Sequence, residues 1–174
     1  MTKTRLAITA YVLGLIIGGA LVANAVQYAD GLAAPGVTGI GGVFFKARDP
    51  AELRAWYERH LDIGAAHQGV NFFWRDRDDA SRFGLTVWSL FPRDTDYFGP
   101  GDQGFMINYR VADLETLLDR LREQGVSQVG EIEEYWYGRF AWILDGEGNR
   151  VELWEPVDFS PEEFIRRSQA ASSR

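Results

Sequence analysis

Asp145-Gly146-Glu147-Gly148-Asn149-Arg150-Val151-Glu152-Leu153-Trp154-Glu155-Pro156 is the stretch on which the reading of the fold turns. Its first five residues are rich in turn formers: Asp and Asn side chains bond back to the backbone, and glycine takes dihedrals closed to other residues. The next five alternate. Val151 and Leu153 fall on one side and Arg150, Glu152 and Trp154 on the other, which is the period of a strand. Pro156 donates no ladder hydrogen bond and ends it. Just upstream, Phe140-Ala141-Trp142-Ile143-Leu144 is a second strand-like run, so the turn formers read as a hairpin connection.

Working outward, Leu114, Leu117, Leu118 and Leu121 recur at i, i+3, i+4 and i+7, the stripe of an amphipathic helix. Asp113 stands at its N-cap and Gly125 at its end. Met106-Ile107-Asn108-Tyr109-Arg110-Val111 precedes it as a strand. An earlier stretch follows the same plan. There Val43-Phe44-Phe45 is an apolar run and Asp49 caps a helix with Glu52 completing a capping box. Leu53, Trp56, Tyr57 and Leu61 line one face of that helix, and strand-like runs follow at residues 70–74 and 85–91. An offset of 64 residues superposes Asp49 on Asp113, Leu53 on Leu117, Arg75 on Arg139, Gly84 on Gly148, Val87 on Val151 and Pro92 on Pro156. The order of elements carries more weight than these identities. After the second copy, Ser160-Pro161-Glu162-Glu163 opens a short C-terminal helix, expected to run to about Arg167 within a tail of residues 158–174.

Two modules of this plan resemble the vicinal-oxygen-chelate (VOC) superfamily of glyoxalases, bleomycin-resistance proteins and dioxygenases. The closing stretch is similar to that family's Asp-Pro-Glu-Gly-Asn, hydrophobic, Glu-Leu, Trp-Glu ending, with Gly146 where proline is usual. Trp56-Tyr57 resembles the family's aromatic pair on the first helix. The resemblance implies an α+β fold. Two βαβββ modules, residues 40–95 and 102–157, form one VOC domain over residues 40–157, preceded by an N-terminal hydrophobic helix.

The resemblance also implies where a divalent metal would sit: on the first strand of each module, seven residues before the capping Asp, and on the last strand of each. Those positions are Gly42, Met106, Trp88 and Glu152. Only Glu152 is a ligand for Zn, Fe, Mn or Ni, and one carboxylate does not hold a catalytic metal, which normally has three protein ligands. The expectation is no metal cofactor, with a divalent ion as the alternative. His60 and His67 match no family ligand position and read as structural. Gly39-Ile40-Gly41-Gly42 lacks the spacing of a dinucleotide fingerprint. Asp76-Arg77-Asp78-Asp79 begins like a calcium loop but lacks its later ligands, and reads as a solvated turn.

Strand alternation assigns faces. Gly42, Phe44 and Lys46 should face a central cup, with Met106, Asn108 and Arg110 on the matching strand. Thr86, Trp88, Arg150, Glu152 and Trp154 should join them from the closing strands. The candidate ligand-binding residues are therefore Lys46, Trp88, Asn108, Arg110, Trp154 and Glu152. Lys46 and Arg110 would clamp an anion, and Glu152 would pair with an arginine or act as a general base. The aromatic loop Asp96-Tyr97-Phe98-Gly99-Pro100 is a candidate lid.

Residues 1–29 differ from the rest. Lys3 and Arg5 precede residues 6–26, which carry no charge, and Ala23-Asn24-Ala25 suits a signal peptidase. The segment reads as a cleaved signal peptide or a single membrane anchor, with residues 30–39 as a linker. Either places the domain outside the cytoplasm, periplasmic, secreted or anchored in the cytoplasmic membrane. A net charge of −7 disfavours nucleic acid, whose phosphates need clustered Lys and Arg. The absence of cysteine excludes disulfides, thiolate metal sites and cysteine nucleophiles.

Three functional readings follow. The first is a binding protein for a small organic molecule, without a metal. The second is a lyase, isomerase or dioxygenase of the same superfamily with a displaced metal or a metal-free site. The third is an envelope interaction module without a ligand. A homodimer is compatible with each.

Overall fold

The computed structural model describes residues 36–64 and 69–172. The apolar N-terminal segment and His67 lie outside the described residues. Among the described residues no helix is long and apolar enough to cross a membrane.

The chain forms β1 (Val37–Ala47), α1 (Pro50–Leu61), β2 (Gly69–Arg75), β3 (Phe83–Pro92), β4 (Phe105–Val111), α2 (Leu114–Glu123), β5 (Gln128–Tyr135), β6 (Gly138–Leu144), β7 (Arg150–Pro156) and α3 (Pro161–Ser172). The strands make one sheet in the order β2-β3-β1-β4-β7-β6-β5. Its symmetry is visible in the register. β1 runs antiparallel to β4 and pairs Val43 with Ile107, residues 64 apart in sequence. A pseudo-two-fold axis therefore passes between them. On either side β1 pairs parallel with β3, and β4 parallel with β7. β3 then pairs antiparallel with β2, and β7 with β6.

The copies differ at the edges. β5 extends the second module beyond β6, whereas the first module shows three strands among the described residues, a βαββ unit in place of the expected βαβββ. Chain length is the physical reason. Seven residues join α1 to β2, while fourteen join α2 to β6 and include β5. Seven leave no room for a turn and a strand as long as the eight residues of β5. β1 also begins at Val37, inside the stretch expected to be linker.

The two helices also differ in burial. Asp49 Oδ1 accepts from Ala51 N and Glu52 N, both at 2.9 Å, and Asp113 Oδ1 accepts from Thr116 N at 3.0 Å, so both aspartates cap their helices. Leu114, Leu117 and Leu118 of α2 are buried against Ala141, Leu153 and Val111. Each fully buried leucine contributes roughly 1.5–3 kcal/mol. By contrast α1 buries none of its residues, and Trp56 and Leu61 are about half exposed.

The other face of the sheet carries an aromatic core of Phe44, Leu85, Phe98, Met106, Phe140, Trp142, Trp154 and Phe164. This is the cup of the sequence reading, and it is filled by side chains. α3 is longer than expected, reaching Ser172, and sends Phe164 into this core. The Asp76 loop is a solvated turn: Asp76 Oδ1 accepts from Asp78 N at 2.8 Å and Asp79 N at 3.1 Å.

Candidate functional site

Glu152 lies at the centre of the cup face and is 1% exposed. β7 places it opposite Asn108 on β4 and Trp142 on β6. Its Oε1 accepts from Asn108 Nδ2 at 2.5 Å, and its Oε2 from Trp142 Nε1 at 2.9 Å and from the Tyr97 hydroxyl. Burial raises the Glu152 carboxyl above the ordinary glutamate range. The three donors and the charge of Arg150 pull the other way without reversing it. Tyr97 is raised too, first by burial and then by the Glu152 charge. The expected ion pair between Glu152 and Arg110 or Arg150 does not form. Neutral donors stabilise the carboxylate instead, and both guanidiniums turn to aromatic faces.

Arg110 lies between two indoles, 4.9 Å from the Trp74 ring and 5.3 Å from Trp154. Burial lowers its pKa. Arg150 lies 5.0 Å over Trp142 and donates from Nη1 to Tyr97 O at 3.2 Å. Gly41 makes the approach of β4 possible. A Cβ there would run into Asn108 Oδ1 and come within 3.0 Å of Arg110 Cγ and 2.8 Å of Trp154 Cε3. The glycine cluster that fails as a nucleotide motif thus serves close packing. Among the described residues, three buried side-chain polar atoms have no hydrogen-bond partner: Asn108 Oδ1, Arg110 Nη1 and Arg150 Nε.

Asn108, Arg110, Glu152 and Trp154 therefore come together as the alternation of β4 and β7 implies. Two other candidates do not. Trp88 packs edge-on against Tyr57 of α1 at 4.7 Å, on the helix face. The 64-residue offset fails there by one residue: Asn108 pairs with Glu152, whereas its counterpart Phe44 pairs with Ser89, not Trp88. A slip of one residue turns a strand side chain to the opposite face. Lys46 does lie on the cup face, 5.4 Å over Phe98, but it cannot share a clamp with Arg110. Arg110 pairs with Gly39, and Lys46 is seven residues further along β1, on the order of 20 Å away.

Tyr97, Trp142 and Trp74 were missed as site residues. Trp142 could have been found by folding the hairpin about its turn, which sets it across from Glu152. Tyr97 belongs to the loop read as a lid. It stacks on Phe91 at 5.2 Å while Phe98 beside it is fully buried. Trp74 carried no signal, because its contact with Arg110 spans distant strands.

The metal positions implied by the superfamily do not fit a divalent ion. Gly42 has no side chain, Met106 is in the apolar core, Trp88 is on the wrong face, and both oxygens of Glu152 already accept hydrogen bonds. Among the described residues no group of three or more His, Asp or Glu side chains is placed to hold a metal ion. His60 is exposed, its ring 4.9 Å from Trp56. A surface hollow of about 250 Å³ lies between α2 and β5, away from Glu152. It is lined by Glu115, Leu118, Asp119, Arg122, Gln128 and Ile132. Arg122 and Asp119 there neutralise each other at 2.7 Å.

The profile of the glyoxalase-like domain family matches residues 42–154, most of the chain and both halves of the pseudo-symmetric sheet. The chain belongs to this family. No curated protein sequence matches it. Among solved structures, the glyoxalase-like domain is similar to a Streptomyces coelicolor methylmalonyl-CoA epimerase variant in complex with 2-nitronate-propionyl-CoA. That match has 17% identity and a TM-score of 0.55, and covers 72% of this chain and 100% of the other. A methylmalonyl-CoA epimerase in complex with methylmalonyl-CoA and NH4+ matches at 16% identity and a TM-score of 0.54, over 70% and 96%. The Mycobacterium tuberculosis methylmalonyl-CoA epimerase shares 27% identity over 72% and 93%, with a TM-score of 0.46. The likeness to the first two is one of fold.

Proposed function

We propose that the protein binds a small organic molecule with an aromatic or amphipathic body at the cup face around Asn108, Arg110, Glu152 and Trp154, without a catalytic metal. The observation that carries this is the set of three unpartnered buried atoms. Folded proteins leave few such atoms, and here Asn108 Oδ1, Arg110 Nη1 and Arg150 Nε all belong to the cup face of β4 and β7. One acceptor and two cationic donors amid indole rings suit a ligand with an anionic group and a flat apolar part. Small-molecule binding also agrees with the epimerase neighbours, which were solved with CoA derivatives.

The test is the mass of any molecule that co-purifies, followed by melting temperature with and without it. Binding raises the melting temperature by linkage. Arg110→Ala is expected to weaken binding by about 1.5–3 kcal/mol through a lost charge-assisted hydrogen bond, and Glu152→Gln to weaken it indirectly, by disturbing the Asn108 amide that Glu152 holds in place. Equal destabilisation of the free and liganded protein by both would mean a structural cluster and a misplaced site. Elemental analysis is expected to find less than one Zn, Fe, Ni or Mn per chain; a stoichiometric metal would overturn the metal-free reading.

A second reading is favoured by the raised pKa of Glu152 and by the epimerase neighbours: Glu152 as a general base abstracting a proton beside a carbonyl. It requires Tyr97 to leave the carboxylate, since the hydroxyl now occupies Oε2. Deuterium uptake from solvent into the bound molecule, lost in Glu152→Gln, would favour catalysis over binding alone. An interaction module without a ligand would show neither a melting shift nor exchange.

A further inference from the structure

The family match ends at residue 154, yet the chain continues and folds back. Past Pro156 the ladder of β7 stops and Val157 and Asp158 are exposed. Phe159 and Phe164 then return to the aromatic core of the cup, where Phe164 is 8% exposed. The Phe164 ring packs on Phe73 of β2 at 6.0 Å and on Trp136, in the turn between β5 and β6, at 5.2 Å. One side chain thus bridges the two outer ends of the sheet. Beside it, Asp158 lies 3.6 Å from Arg82, and both act on the charge of Arg110. The segment therefore presents aromatic rings and a carboxylate to a face of indoles and guanidiniums.

The cup is closed from two sides, and the closures are unequal. The Tyr97–Phe98 loop is tied to buried Glu152, and its backbone carbonyl accepts from Arg150. Residues 158–164 are tied by ring contacts and by an ion pair whose partners are 59% and 85% exposed, where water screens the attraction, and α3 adds Arg167 at 5.9 Å from the Trp136 ring. Among the described residues the segment's one backbone bond to the rest of the domain is from Val157 N to Tyr137 O, at 3.3 Å, in the turn between β5 and β6. It can leave without breaking a strand pairing.

We propose that residues 158–164 form an intramolecular stopper of the cup, which an aromatic carboxylate displaces when it binds. This rests on the cup being a binding site and adds the ligand class and its built-in competitor. A stopper that occupies the site most of the time weakens apparent affinity by the fraction of open molecules.

The test uses the full-length chain and 2-naphthoate, followed by titration calorimetry, with neutral 2-naphthamide as comparison. Phe164→Ala removes the buried ring and is expected to tighten 2-naphthoate binding roughly tenfold. Adding Arg110→Ala should abolish the gain. Asp158→Asn changes an exposed side chain, so folding is not in question, and should tighten 2-naphthoate more than 2-naphthamide. If Phe164→Ala proves unfolded by its melting curve, Asp158→Asn decides. Arg110-dependent binding that is equally tight in wild type and in the stopper variants would overturn the stopper and leave the cup reading standing. The absence of Arg110-dependent binding in every variant would overturn both.

Discussion

At the scale of the residue, Glu152 has the sharpest consequence. Its folded pKa is raised above the unfolded value, so the folded state binds the proton more tightly. The sign follows by linkage. This group's contribution to stability is fully present below the unfolded pKa and is lost as pH rises through the folded one. Glu152→Gln removes that dependence. It also places an amide where three donors need an acceptor, which costs roughly 1–3 kcal/mol. Urea denaturation is therefore expected to show a larger Glu152→Gln penalty at pH 5 than at pH 8. A penalty that grows with pH would mean that the carboxyl is depressed by its donors instead. That Glu152 points into the cup was legible from the alternation of residues 150–154. Its partners were not, since the arginines of β4 and β7 looked like the natural counter-ions and the structure gives it Tyr97, Asn108 and Trp142.

At the scale of the element, the two capped helices are alike in sequence and unlike in load. Leu117 on α2 is 4% exposed within a closed cluster, while its 64-residue counterpart Leu53 sits on a helix that buries nothing. Leu117→Ala is expected to cost roughly 2–5 kcal/mol, as a core truncation does. Leu53→Ala should cost well under half of that, measured by urea denaturation at one pH. Equal costs would mean that α1 is covered in solution, and the homodimer compatible with the sequence would be the first explanation to examine by sedimentation. Helix periodicity and N-caps were readable because they are local. The difference in burial was not, because it depends on side chains such as Val111, Ala141 and Leu153 that three separate strands bring to α2.

At the scale of the whole molecule, the chain joins an apolar N-terminal segment to a glyoxalase-like domain. The basic start and uncharged run of residues 6–26 lead us to propose that the domain lies outside the cytoplasm. Alkaline phosphatase fused after Pro35 should then be active in cells, and activity only of a cytoplasmic reporter at that junction would reverse the assignment. The N-terminal sequence of membrane-bound and released protein would report whether the Ala23-Asn24-Ala25 site is cut.

The sequence by itself determined the duplicated α+β plan, the helix caps, the closing hairpin and the inward set Asn108, Arg110, Glu152 and Trp154. Each depends on periodicity or on a turn within a few residues, where local sterics and hydrogen bonding dominate. Tertiary structure alone decided which side of β3 faces the cup. Trp88 left the site and joined Tyr57 because strand pairing, not sequence offset, sets the face, and one residue of register inverts it. It also decided that the cup is filled. Tyr97 reaches Glu152 from a loop, and Phe98 beside it and Phe164 from a helix distant in sequence join the same aromatic core, which only tertiary packing brings to one place.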